Sequence, residues 1–156
     1  MKLRAIPIKF GFLIGLALIV YFLLLAAIGW HTQPGFSLFN GVIVGVGIFY
    51  AIKTYRDKKK RKFRYQKGFM TGLLTGFNAT ILFTIFFGIY VRYIEQGFPE
   101  LLMGNWATDY STALAMLLFV EAVMGFASTV VLTLTFMQLF KSSWNTPEGK
   151  KHTVDG

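Results

Sequence analysis

Arg56-Asp57-Lys58-Lys59-Lys60-Arg61-Lys62-Phe63-Arg64-Tyr65-Gln66-Lys67 decides the fold of this chain. The stretch is densely basic, and a long apolar segment lies on each side of it. Crossing a bilayer would strip water from a row of cations, so such a run stays on the cytoplasmic face. Once it is placed there, the direction of every other segment follows.

The segments themselves are read from apolar length. About 20 apolar residues at helical rise span the hydrocarbon core. Four stretches qualify, at about 8–30, 36–55, 68–94 and 113–140, and a polar tail, 141–156, follows. The 156 residues are 54% hydrophobic, 17% aromatic and only 15% charged, against about 25% charged in soluble domains. Mean hydropathy is +0.54. These values exclude an ordinary soluble domain. They predict an all-α integral membrane protein with four transmembrane helices in an antiparallel bundle and both termini inside. Short connections make spans one and two, and three and four, adjacent hairpins.

Local signals fill in the connections. His31-Thr32-Gln33-Pro34-Gly35 reads as a tight turn after the first span, because Pro-Gly breaks helices. Trp30 marks the water–lipid interface. Lys2, Arg4 and Lys9 before an apolar run also resemble a signal peptide, with Ala27-Ile28-Gly29 as a loose cleavage site. The run exceeds the usual ~7–15 residue apolar region of such peptides, which favours a retained span. Between the third and fourth spans, Leu101, Leu102, Met103 and Trp106 predict a piece lying in the interface. The tail is expected to be poorly ordered.

Charge counting supports the orientation. The inner side receives Lys2, Arg4, Lys9, the basic stretch with Lys53, and Lys141, Lys150 and Lys151; the outer side receives only Arg92. The formal charge of +9 is therefore a topology signal rather than a nucleic-acid footprint. Phe63 and Tyr65 interleave with charge, as in some nucleic-acid binders, but the loop is too short for a recognition domain, and no nucleic-acid partner is expected. Lys58, Lys59, Lys60, Arg61, Lys62 and Arg64 are expected against anionic lipid headgroups, at about 1 kcal/mol per charge. The bilayer is the first partner; a second copy of the chain or another membrane protein is the other.

Catalytic signatures are missing. The chain has no cysteine, which excludes disulfides, thiolate metal sites and a cysteine nucleophile. It has no HExxH, no metal-ligand spacing, no GxSxG, no Walker loop and no GxGxxG. A non-enzymatic protein without metal or cofactor is expected. An enzyme would need converging polar groups at one interface, and the outer face offers only Asp109, Glu100 and His31.

Three sets of residues stand out within the spans. Glu121 lies about eight residues inside the fourth span, roughly 12 Å deep at helical rise. A carboxylate at that depth faces a bundle interior or a water-filled cavity. It reads either as a proton- or cation-binding group or as a structural partner of Asn40, a Tyr hydroxyl or Arg92. Asn40 and Asn78 are amides in spans two and three, read as interhelical glue or as the lining of a path. Gly41 with Gly45, Gly68 with Gly72 and Gly76, and Gly11 with Gly15 are small-residue stripes that let helices approach closely. Internal packing is favoured for them over a homodimer seam.

From Phe39 to Glu100 the chain resembles a family of small, four-span bacterial inner-membrane proteins, a domain of unknown function common in Bacteroidota. The resemblance rests on Gly41 with Gly45, on the Tyr55-Arg56 exit into a basic loop, on Phe69, Gly72 and Gly76, and on Tyr90 leading to Gly97-Phe98-Pro99-Glu100. It implies architecture and an inner-membrane location, and no site residues.

Two functions stay open. An accessory or scaffold subunit acting through helix packing is favoured, given the Gly stripes and an aromatic excess expected to face lipid. The alternative is a small dimeric transporter or channel, with Glu121 binding a proton or cation and Asn40 and Asn78 along the path. Whether Glu121 faces a polar cavity or a packed wall separates them.

Overall fold

A computed structural model describes residues 3–103 and 109–140, and every regular element among them is helical. A 3-10 turn, Leu3–Ala5, leads into α1 (Ile6–Ala27). Then come α2 (Pro34–Lys59), a 3-10 turn at Lys60–Lys62, α3 (Tyr65–Tyr93), the short α4 (Phe98–Met103) and α5 (Tyr110–Leu139). Helices α1, α3 and α5, and Leu38–Lys59 of α2, are long and apolar enough to cross a membrane. Trp106 and the tail lie outside the described residues.

The α1–α2 connection differs from the sequence expectation. Pro34 and Gly35 do not form the turn; they open α2. Proline lacks the N–H that a first helical position does not use, and its φ suits a helix. The reversal comes earlier, at Gly29, whose φ is +74°. Trp30 N–H donates to the Leu25 carbonyl at 2.9 Å and Gly29 N–H to the Ala26 carbonyl at 3.1 Å. This is a Schellman cap, which wants a left-handed residue at that position. A side chain at Gly29 would meet nothing within 4 Å, so a substitution there is strained by backbone alone. Gly29→Ala should lower stability by about 1 kcal/mol. Gly35→Ala, equally open but helical, should hold or gain stability. Thermal unfolding of the two variants in detergent checks this contrast.

The other ends have ordinary causes. Asp109 caps α5, its Oδ1 accepting from Thr112 N–H at 2.9 Å and its Oδ2 from the Ser111 hydroxyl at 3.0 Å. The bonds from Thr112 and then Ser111 hold its pKa below the usual carboxylate value. The cap is intact above the ordinary carboxylate range and is lost as pH falls through the lowered value. At the end of α2, Arg56, Lys58 and Lys59 complement the negative end of the helix dipole.

Close packing is concentrated on α3. Along it, Gly68, Gly72 and Gly76 meet Met137, Thr133 and Thr129 of α5 in turn. On its other side, a Cβ at Gly11 of α1 would lie 2.8 Å from the Thr75 carbonyl oxygen and 2.6 Å from Asn78 Cβ. Gly15 of α1 abuts Leu82 and Gly47 of α2 abuts Ile14. The α2 stripe behaves otherwise. A Cβ at Gly41 would meet nothing within 4 Å, and at Gly45 only ordinary contacts with Leu132 and Phe136 at 3.5–3.6 Å. On α2 the close approach expected of Gly41 and Gly45 is therefore made by Gly47 instead.

Phe63 closes one end of the bundle. Like Leu3 and Phe10, it packs against the buried Ile6, Ala51 and Tyr55, and it also reaches the cluster around Ile48, Ile52 and Met137. The ring that interleaves with charge in the basic stretch is thus an anchor for that loop. The flanking Lys58, Lys60, Lys62 and Arg64 are exposed, and Lys59 is half-buried.

The outward faces are apolar. Phe12 and Val20 on α1, Ile81, Ile85 and Ile89 on α3, and Phe119, Met124 and Val131 on α5 are all about half exposed or more. Soluble monomers rarely expose continuous apolar surface on this scale; hydrocarbon is the solvent that accepts it. The aromatic excess, however, is not mainly there. Phe22, Phe83, Phe87 and Phe98 are buried in one core cluster, with Phe86 and Tyr90 packed against it. Rings attract one another edge to face, and a bundle with this many of them gathers them inside.

Candidate functional site

Phe22 sits near the end of α1 and is the hub of that aromatic cluster. It meets Phe83, Phe86, Phe87 and Tyr90 edge-on, at centroid distances of 6.1, 6.1, 5.4 and 5.0 Å. Those four residues recur at the i, i+3, i+4, i+7 spacing of one helical face. They give α3 an aromatic stripe directed at α1.

Beside this hub lies a cavity of about 240 Å³. Tyr21, Phe22 and Leu25 of α1, Phe83 and Phe87 of α3, Phe98 of α4 and Leu117 of α5 form its apolar lining. His31 and Thr32 of the α1–α2 connection, Asn40 of α2 and Glu121 of α5 supply the polar groups. The Tyr21 hydroxyl donates to the Phe36 carbonyl at 3.0 Å and ties α1 to the start of α2.

His31 links two connections over this region. Its Nε2 lies 2.9 and 2.8 Å from the two carboxylate oxygens of Glu95, which follows α3. The imidazole stacks on Phe98 at 5.6 Å and meets the edge of Phe22 at 5.8 Å. Its side chain is only 10% exposed, against 33% for Glu95. An ionised carboxylate only accepts, so Nε2 carries the hydrogen in this pair.

The polar lining is under-satisfied. Asn40 Oδ1 and His31 Nδ1 are buried and have no hydrogen-bond partner among the described residues. Leaving such an atom unpaired costs about 1–3 kcal/mol. Glu121, half-buried, makes no hydrogen bond or ion pair among the described residues either. The structural partners considered for it are engaged elsewhere or merely share the cavity. Arg92 lies over the Tyr93 ring at 6.0 Å and lines a separate groove of about 610 Å³ with Tyr110 and Ser111. Asn40 shares the cavity with Glu121; Asn78 does not line it and packs at the α1–α3 crossing beside Gly11.

Of the residues singled out in the sequence, Glu121 and Asn40 are brought together and Asn78 is left out. The cavity also takes in His31, expected only as an outer-face polar group, and Thr32 and the rings, which the sequence reading does not mark. The stripe of Phe83, Phe86, Phe87 and Tyr90 was a usable signal. Nothing local predicted that His31 would be folded back against Glu95.

Over residues 9–142 the chain matches the model of a family described as "Protein of unknown function (DUF4199)". No curated protein and no solved structure matches it.

Proposed function

The chain belongs to this family of unknown function, and we propose that it is a non-enzymatic, multi-pass inner-membrane transporter or channel for a proton or a cation exchanged with it, with Glu121 as the binding carboxylate. One observation carries the proposal: Glu121 lines a cavity between helices together with the unpaired Asn40 Oδ1 and His31 Nδ1. A carboxylate inside a membrane is retained where it binds or moves charge. Orphaned acceptors beside it are what a site kept ready for a donor looks like.

The same reading takes the bundle as antiparallel, with both termini and the basic stretch in the cytoplasm. The succession of contacts supports it: residues 68, 72 and 76 of α3 meet 137, 133 and 129 of α5 in descending order. The exposed cations between α2 and α3 then face anionic headgroups, and the cavity lies toward the periplasmic side.

The accessory or scaffold reading loses its main support. It leaned on the Gly stripes and on aromatic rings facing lipid; Thr129, Thr133 and Met137 of the same chain fill the Gly68–Gly76 stripe, and Phe22, Phe83, Phe87 and Phe98 are buried. Only 11% of the most apolar window of α5 is buried, so that helix has surface for lipid or for a second copy. The cavity is built within one chain and does not need that copy.

The test is proton flux in vesicles containing the purified chain, with an imposed pH gradient and an entrapped pH dye. Flux that requires Glu121 supports the proposal. A gradient that decays at the same rate with the parent, with Glu121→Gln and with no protein overturns it.

A further inference from the structure

Resting on Glu121 as a cation-binding group, we infer that the cavity takes a protonated primary amine with an aryl or short alkyl body.

An organic cation fits the lining better than an inorganic one. Hard metal ions gather about six or more oxygen ligands. This cavity sets one carboxylate, one amide, one imidazole and the hydroxyls of Thr32 and Tyr21 among aromatic rings, short of six oxygen ligands, and no three His, Cys, Asp or Glu converge among the described residues. Aromatic faces attract organic cations, most strongly where water is excluded. Phe22, Phe83, Phe87 and Phe98 are each at most 8% exposed.

The unpaired acceptors narrow the class. Asn40 Oδ1 has no donor, and His31 Nδ1, in a ring whose Nε2 hydrogen goes to Glu95, is an acceptor when the ring is neutral. A primary ammonium brings three N–H donors to one carboxylate and two such acceptors. A quaternary ammonium brings none, and a neutral alcohol brings one donor and no charge.

Size sets the last limit. At the packing density of protein interiors, about 0.75, a 240 Å³ cavity holds a ligand of roughly ten heavy atoms. Phenethylammonium is of that size and carries one ring and one ammonium.

The experiment is calorimetric titration of phenethylammonium chloride into the full chain in lipid nanodiscs at neutral pH. The parent should bind it. Glu121→Gln should weaken binding by about 30-fold or more, since a buried ammonium would lose its counter-charge. Asn40→Leu should weaken it about tenfold by removing a charge-assisted acceptor. That variant should also leave the melting temperature of the empty protein unchanged or raised, because an unpaired buried oxygen disappears. On the parent, benzyltrimethylammonium and 2-phenylethanol should each bind about tenfold more weakly than phenethylammonium.

Absence of phenethylammonium binding to the parent overturns the inference. So does binding unaffected by Glu121→Gln, or equal binding of the primary and quaternary amines. If Glu121→Gln fails to fold, the ligand series on the parent and Asn40→Leu decide. Glu121-dependent proton flux without amine binding removes the amine and leaves the carboxylate reading standing. Amine binding without flux supports the site and removes transport.

Discussion

Gly76→Leu is expected to drive α3 and α5 apart and to leave no stable bundle in mild detergent. A Cβ on Gly76 would overlap Thr129 Cγ2 and Oγ1 and would lie 2.8 Å from Thr129 Cβ. A clash with a Cβ is not relieved by rotating the side chain, because that atom is fixed to the backbone. Thr129 is also fully buried, and a β-branched residue in a helix has few alternative rotamers. Overpacking of a well-filled interface costs about 1–3 kcal/mol, and here the whole isobutyl group follows the Cβ. Marginal stability makes such a loss decisive. Gly41→Leu is the control, since nothing lies within 4 Å of that position. The measurement is the melting temperature and size of each variant in detergent. Equal melting for Gly76→Leu and the parent would mean that the stripe faces lipid. The same spacing of α3 from α5 sets Phe83 and Phe87 against Leu117 and Glu121, so a destabilised Gly76 variant should also lose its cavity.

Glu121→Gln should abolish Glu121-dependent flux while leaving the fold in place. The substitution keeps shape and removes the ionisable group. At helix-centre depth an acidic side chain costs about 2.5–3.5 kcal/mol to insert, and an amide costs less. No hydrogen bond or ion pair of Glu121 is lost among the described residues. Insertion and melting temperature should therefore hold or rise while the pH gradient decays only at the rate of protein-free vesicles. A variant that melts well below the parent would instead assign Glu121 a structural pairing.

How much of this was legible depends on whether a feature is local. The four spans were written in apolar length, and the basic stretch in charge. The start of α2 is not where a helix-breaking Pro-Gly would put it. Proline at a first helical position starts a helix, and the reversal needed the left-handed Gly29 instead. Glu121 and Asn40 were visible because an isolated polar side chain in an apolar span is conspicuous. That they share a cavity, and that Asn78 does not, depends on how helices rotate against one another, which periodicity does not give. The small residues show the same limit. Gly72 and Gly41 look alike in sequence, but only Gly72 has a threonine of α5 pressed against it. His31 was hidden most completely, because its partner Glu95 is 64 residues away.

The orientation of the bundle is the claim on which the cytoplasmic basic loop and the outward cavity both depend. The chain has no cysteine, so single cysteines can be introduced without a background. Lys62→Cys and Gln33→Cys variants would be exposed in intact cells to a membrane-impermeant maleimide, and again after the inner membrane is opened. The account predicts labelling of Gln33→Cys in intact cells and of Lys62→Cys only after opening. Labelling of Lys62→Cys in intact cells, with Gln33→Cys protected, would contradict it.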